Sequence, residues 1–516
     1  MTGRCRAQRT AAARANTAAR LSATGLGGLL LAAAGVPGLA QAQVRSVALT
    51  PSFSVTQQFT DNRDLSATDR QADSITTFSP GLRVASSSGR VRGSLDYSLN
   101  GTVYAQRSEA NSISQALSAG FNAELYERHA FLDARASISQ QSISALNLQG
   151  TNRPNTINPN STEVRSISLA PSVRGRPFDL ADFSATVTSS LSQSADNRGS
   201  DLASHNYAVR LGDGGAGLGW SLDGSRSVSD FDRGRRSTQD RVTAQLSYRF
   251  SSGLNVFARA GRERDDVQSA DFKPRDTWGA GLTWQPTPRT SVSAQADRRY
   301  FGDSHSLSVS HRMRRSVFSY SDSRSSTENT AGAGATFSVY EQYFQQFESL
   351  ERDPVLRDIL VRAFLQAAGL DPNQRLSGGF LSSAVSLQRS QNLSYALQGL
   401  RNNFVLSAFI TSTRRLDRFS NAQDDLSDVD VLRQHGFSAS LSHRLTPTSS
   451  MVLSLSQQKT VGTTDLQGND LNSVNLAWTT RLGRSADLSA SLRHSKAGGT
   501  NPYTESALLG TLSLRF

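Results

Sequence analysis

The string GDSHSL, residues 302–307, sets Ser304 beside His305 and just after Asp303, the residue types of a nucleophilic hydrolase. Neighbouring residues on a strand point to opposite faces, so in an extended segment Ser304 and His305 do not meet as nucleophile and base. The seven histidines are His129, His205, His305, His311, His435, His443 and His494, and no two stand at the i, i+4 spacing of a helical zinc site. His305 and His311 are the nearest pair, and extended chain puts them about 20 Å apart, too far for one metal. The glycines of GDGGAGLGW (212–220) precede no helix, so they read as a turn and a strand that lets backbones approach, not as a phosphate cradle. The sequence therefore offers no catalytic site, no metal site and no cofactor.

Charge is the remaining chemical resource. Of 55 basic residues only Lys273, Lys459 and Lys496 are lysines. An arginine-rich chain of this kind suits a positively lined lumen or rim that attracts anionic polymers or headgroups. The competing reading is paired lumen charge, because acids are interspersed, as in RERDD (262–266) and DRGRR (232–236). No clustered basic and aromatic face is present, and with the secretion signal below this argues against nucleic acid as a partner.

The elements that position these residues begin after a processing signal. Residues 1–42 carry five arginines and no acid, then the broken apolar run LSATGLGGLLLAAAGVPGLA and the small-residue site AQA. Cleavage is expected between Ala42 and Gln43. Gly27, Gly28, Gly35 and Pro37 leave the apolar core too short and broken for a membrane anchor. Five of the formal +12 charges lie in this leader, leaving +7 for residues 43–516. The lone cysteine, Cys5, lies there too, so the mature chain has no thiol or disulfide chemistry.

Hydrophobic content of 37% and a mean hydropathy of −0.40 are low, yet the residues alternate as a disordered chain's do not. In RVTAQLSYRF, Val242, Ala244, Leu246, Tyr248 and Phe250 share one face against Thr243, Gln245, Ser247 and Arg249. SVNLAWTTRL, GFSASLSHRL and ADLSASLRH repeat the pattern. A soluble sandwich also has one apolar face, so connection lengths must decide. Tight turns are expected near 86–90, 126–129, 175–180, 211–216, 250–254, 285–289, 313–316, 400–404, 445–450 and 482–486. Long polar connections fall between them, at 61–71, 144–162, 194–204, 228–238, 262–275, 417–433, 462–471 and 496–502, in strict alternation with the turns. Short turns on one side and long loops on the other define a transmembrane antiparallel β-barrel, here of about 22 strands within a range of about 18–24, in the outer membrane of a Gram-negative bacterium.

Residues 338–370 break the period. Tyr340, Tyr343, Phe344 and Phe347 recur at helical spacing, as do Leu356, Ile359, Leu360, Ala363, Phe364 and Ala367. Asp353 and Pro354 read as a helix start and Gly369 as a stop. This helical insert belongs to an outer connection, where it either caps the loop or folds into the lumen as a plug.

Several stretches carry a family likeness. LTPSFSVTQQFTDNRDLS (49–66), DSITTFSPGLRVASSSGRVRGSLDYSLNGTVYAQ (73–106) and LSAGFNAELYERHAFLDARASISQQSIS (117–144) follow one another in order. SHRMRRSVFSYSDSRSST (310–327), the helical insert and LRNNFVLSAF (400–409) extend the likeness over most of the chain. The chain resembles the outer-membrane β-barrel proteins associated with the PEP-CTERM and exosortase system. The resemblance implies a non-enzymatic protein connected with exopolysaccharide production or export, with extracellular polysaccharide or its export machinery as partners, and it supplies no catalytic residues. A general diffusion porin or small-solute channel is the alternative.

The chain ends LLGTLSLRF (508–516), alternating to its last residue. Leu512, Leu514 and Phe516 are expected on the face toward outer-membrane lipid, forming the terminal strand that barrel-assembly machinery recognises. That strand is expected to close on the one starting near Val47.

Overall fold

The computed structural model describes residues 47–516 except 87–88, 151–156, 178–180, 196–198, 216, 269–270, 329–330, 422, 463–467 and most of 334–378. The leader and its cleavage site, Ala42 and Gln43, lie outside the described residues. So do Asp353, Pro354 and Gly369 of the insert.

The alternation read from the sequence becomes a single antiparallel sheet. Its strands are β1 (Val47–Thr60), β2 (Asp73–Ser86), β3 (Val91–Tyr104), β4 (Ser112–Tyr126), β5 (Ala130–Ser142), β6 (Ser161–Gly175), β7 (Asp182–Ser194) and β8 (Leu202–Asp213). It continues through β9 (Leu218–Phe231), β10 (Arg236–Ser251), β11 (Leu254–Asp265), β12 (Pro274–Thr287), β13 (Thr290–Arg299), β14 (Gly302–Arg312) and β15 (Ser316–Thr327). Two short strands, β16 (Ala331–Ala333) and β17 (Phe380–Leu381), belong to the connection that follows. The wall resumes with β18 (Ser386–Gln398), β19 (Asn402–Arg415), β20 (Leu432–Arg444), β21 (Ser449–Val461), β22 (Gly468–Arg481), β23 (Ala486–Gly499) and β24 (Tyr503–Arg515).

Without β16 and β17, 22 strands form the wall among the described residues, each paired with its sequence neighbour and β15 with β18. The ring closes where β1 meets β24, from Ser52 opposite Arg515 to Thr60 opposite Ala507. Closure leaves no unpaired edge in the wall, as a lipid environment requires. At a strand spacing of about 4.8 Å and a tilt near 40°, a ring of this size has a backbone circumference on the order of 140 Å.

All ten expected tight turns are present, each bridging strands on the side that holds the start of β1 and the end of β24. This is the inner, periplasmic end. Strict alternation of short and long connections does not hold. At the outer end β13 and β14 are joined by Tyr300 and Phe301 alone, as tightly as any inner turn. These two rings stack edge to face at 5.0 Å and bury themselves with Leu202, Phe231, Val267 and Leu416 from neighbouring outer loops and strand ends. The pair thus serves as a packing corner, not as a solvated loop. A long polar connection at 105–111, containing the turn Ser108–Ala110, also escaped the sequence reading.

Candidate functional site: a polar lumen crossed by an insert

Because the side-chain period is two, the register of the wall decides which residues line the lumen. In β24, Leu508 and Leu512 are exposed on the outer face, while Leu509, Thr511, Ser513 and Arg515 turn inward. Inward hydroxyls meet across strands in pairs: Thr56 with Thr511 at 2.9 Å, Ser137 with Ser166 at 2.7 Å, Ser190 with Ser204 at 2.7 Å, and Ser319 with Ser394 at 2.6 Å.

Inward charges are paired along much of the wall. Arg493 on β23 donates to Glu505 on β24 at 2.8 Å, and Thr60 on β1 donates to the same carboxylate. Both partners of that ion pair are almost wholly buried, at 2% and 3% side-chain exposure. Glu263 receives Arg241 at 3.1 Å and Arg299 at 2.5 Å, while Arg259 pairs with Asp297. Gly279 makes room for that last pair, since a Cβ there would overlap the Asp297 carboxylate.

The insert adds the contacts that matter most. Its described residues Tyr340, Tyr343, Phe344, Arg357, Asp358, Val361, Arg362 and Leu365 have helical backbone. Although the insert is rooted at the outer ends of β15 and β18, these side chains meet the wall close to its inner end. Tyr343, Val361 and Leu365 bury themselves against Val405, near the inner end of β19, with Ala396 of β18 packed alongside. Across the lumen, Arg362 pairs with Asp96 of β3 at 3.1 Å, and Asp358 receives Arg83 of β2 at 3.4 Å. Within the insert, Asp358 and Arg362 pair at 2.7 Å, and the Arg362 guanidinium lies 4.8 Å from the Tyr340 ring centre. Six strands, β20 to β24 and β1, separate β19 from β2 on the short way round the ring, so the described insert residues bridge two separated parts of the wall.

Loops also pack over the outer mouth. From the connection 143–160, the Gln149 carbonyl accepts from Tyr503 of β24 and the Asn147 carbonyl from Asn469 of β22. The Ala145 amide donates to Asp425 in the short helix Asp425–Asp428. Ala145, Phe380, Leu426, Val429 and Leu432 form an apolar seam between these segments. Beside the seam a cavity of about 620 Å³ is lined by Ser144, Arg415, Asp424, Asp425 and Asp428 among others. Burial raises the Asp425 carboxyl above the usual range, with hydrogen bonds from Ser144 and the Ala145 amide opposing the shift.

The groups first weighed for chemistry do not assemble. Ser304 and His305 stand on opposite faces of β14: the Ser304 hydroxyl donates to the Arg324 carbonyl, and His305 Nε2 lies 3.1 Å from Asp322. His311 contacts Thr290. The described residues contain no group of three or more side chains able to hold a metal.

The wall's outer face is the reverse of its lumen. Trp278, Phe250, Val242, Leu246 and Leu492 are all more than half exposed there, and Trp220, Tyr248, Trp284 and Trp478 add exposed aromatics toward the inner end. Exposed apolar surface on this scale, on a closed ring of transmembrane length, is stable only in lipid, with aromatics at the interface. The protein is an outer-membrane β-barrel. Leu512, Leu514 and Phe516 lie on the lipid side of its last strand, Phe516 being 76% exposed, with its amide donating to the Pro51 carbonyl of β1.

Compared with protein-family models and with curated proteins, the barrel matches none. Among solved structures it is similar to a variant of the ferric enterobactin receptor PfeA from Pseudomonas aeruginosa, at 10% identity and a TM-score of 0.48, over 91% of this chain and 81% of that one. The siderophore receptor PirA from the same organism aligns at 9% identity and 0.43, over 91% and 80%. OpdQ, also from Pseudomonas aeruginosa, aligns at 10% identity and 0.33, over 92% and 100%.

Sequence reasoning missed Arg83, Asp96, Asp358 and Arg362. A signal existed: Arg83 and Asp96 are paired in register on the polar face of β2 and β3, and Asp358 and Arg362 stand four apart on a helix. What the sequence lacked was the fold-back that brings the two pairs together.

Proposed function

We propose that this barrel is a non-enzymatic exit path for an extracellular polysaccharide, working with the exosortase-associated system that its sequence resembles. The observation that supports this reading is the lumen lining of paired hydroxyls and paired charges. Such a wall offers a sugar chain many exchangeable hydrogen-bond partners and few uncompensated charges that would hold it fast. The insert and the outer loops keep a wide lumen obstructed at rest, and they swing aside when the polymer or its export machinery engages.

The test is deletion of the gene in its own organism, followed by separate measurement of surface and periplasmic polysaccharide. Loss at the surface with accumulation in the periplasm is expected. Unchanged surface polymer refutes the reading. A general diffusion channel is the alternative that a ring of this width also accommodates. It requires a large, steady, unselective current from the purified protein in planar bilayers, whereas an obstructed exit path gives low and intermittent current.

A further inference from the structure

Charge is distributed unequally between the two ends of the barrel. The ten inner connections contain eight arginines against two acids, Glu127 and Asp179. The outer connections, leaving aside the insert segment 328–385, contain 15 acids against nine arginines and lysines. Arg314, Arg315, Arg401 and Arg484 are exposed at the tips of the inner turns. Arg249 and Arg481 stand just above them on β10 and β22, also exposed. None of these six makes an ion pair with a described residue, unlike the deeper lumen pairs Arg493–Glu505 and Arg241–Glu263.

Orientation narrows what they contact. Tyr248 and Phe250 flank Arg249 and face lipid, as Leu482 does beside Arg481, so both arginines point into the inner mouth of the lumen. Phospholipid headgroups therefore do not account for these two, and the four arginines at the turn tips surround the same mouth. Uncompensated cations concentrated at one mouth raise the local concentration of an anionic ligand and its rate of entry. The acidic outer loops disfavour its retention at the other end.

We propose that the inner mouth is a collar that captures an anionic polysaccharide, one bearing carboxylates along its chain, from the periplasm, and that the fall in positive charge toward the outer face biases its passage outward. This deepens the exit-path reading and rests on it.

The test uses the full mature barrel in nanodiscs of zwitterionic lipid, with fluorescent polygalacturonate, neutral dextran and polyglutamate as probes. Polygalacturonate is expected to bind, to weaken as salt rises and to outcompete both other polymers. The variant Arg314→Gln/Arg315→Gln/Arg401→Gln/Arg484→Gln should lose at least tenfold in affinity, while Lys273→Gln/Arg418→Gln on the outer loops should lose nothing. If the fourfold variant fails to assemble, the two pairs tested separately should each lose about threefold, the square root of the combined loss. Equal binding by the collar variants, or equal binding of dextran, overturns the inference. Tighter binding of polyglutamate also overturns it, by assigning the collar to an acidic protein segment. Failure here with surface polymer still lost in the deletion strain removes the anionic class and leaves the exit path standing; binding intact with surface polymer unchanged does the reverse.

Discussion

Docking of the insert is open to a quantitative test through Arg362. Of its contacts with described residues, only the one to Asp96 joins insert to wall, because Asp358 and Tyr340 travel with the insert. The second ionic contact across the lumen is Arg83 to Asp358. In each pair the side chains are between a fifth and a third exposed, so solvent screens much of the attraction. A net contribution of about 1 kcal/mol per pair is appropriate, a shift of roughly fivefold in the docked-to-undocked ratio for each pair removed. Arg362→Ala should therefore raise the undocked population about fivefold, and Arg362→Ala with Arg83→Ala about 25-fold if the two pairs act independently. The assay is single-channel recording in planar bilayers, where the fraction of time spent at the higher conductance level reports undocking. Wild type should open more at about 1 M salt than at 0.15 M, because the screening length falls from about 8 to 3 Å, and the double variant should lose that dependence. Asp96→Ala should raise the undocked population by about as much as Arg362→Ala, and combining the two should add little, since both remove the same pair. An open fraction indifferent to both substitution and salt would refute the argument that these ion pairs hold the insert.

Three further perturbations test other parts of the barrel. Arg493→Ala strands the buried Glu505 with only the Thr60 hydroxyl, so a loss of about 3–5 kcal/mol is expected in equilibrium urea unfolding of the detergent-solubilised barrel; a midpoint within error of wild type would count against a buried pair. Deleting Phe516 should sharply reduce the heat-modifiable, assembled form in outer-membrane fractions, while normal insertion would show that the terminal aromatic is dispensable. The Asp425 carboxyl titrates higher in the folded protein than in the unfolded chain, so the folded form binds more protons between the two values and its stability falls as pH rises through that window. The protection factor of the Ala145 amide, its exchange compared with the intrinsic rate at each pH, should therefore rise on acidification into that window, and Asp425→Asn should abolish that rise. A pH profile identical in variant and wild type would contradict the assignment.

The wall was legible because its information is local. Two alternating faces and a turn every dozen or so residues specify antiparallel neighbours without long-range knowledge, and each sequence-neighbour pairing from β1 to β15 and from β18 to β24 satisfies that logic. Tyr300 and Phe301 escaped it, since two aromatics between strands look like strand continuation until their burial against Leu202, Phe231 and Leu416 is known. The insert was legible as helix but not in position. Tyr343, Val361 and Leu365 announce a stripe that must be buried, and nothing local says that Val405, in the second strand after the insert, will bury it. Ser304 and His305 stand apart for the same reason that the wall was legible, since alternation itself sets them on opposite faces of β14.

The position of the insert also bears on why the lumen tolerates so many hydroxyls. A ring of 22 strands cannot fill its interior with wall side chains, so the inner face must be wetted or covered by another part of the chain. Ser and Thr suit the wetted part, where water satisfies whatever a cross-strand partner does not. Val405 locates one covered part: it is an inward aliphatic residue at 6% exposure, and Tyr343, Val361 and Leu365 lie on it. Removing the insert would expose that apolar patch to lumen water. Docking thus has an apolar side at β19 and an ionic side at β2 and β3, and only the ionic side weakens with salt. A partner that displaces the insert must therefore compete for Asp96 and Arg83 while covering or tolerating Val405. A polyanion arriving from the arginine-rich inner mouth reaches Arg83 first as a competing ligand for the guanidinium that holds Asp358. Added polygalacturonate on the periplasmic side should then increase the open fraction of wild type and leave the Arg83→Ala variant unchanged, while equal stimulation of both would separate capture from release.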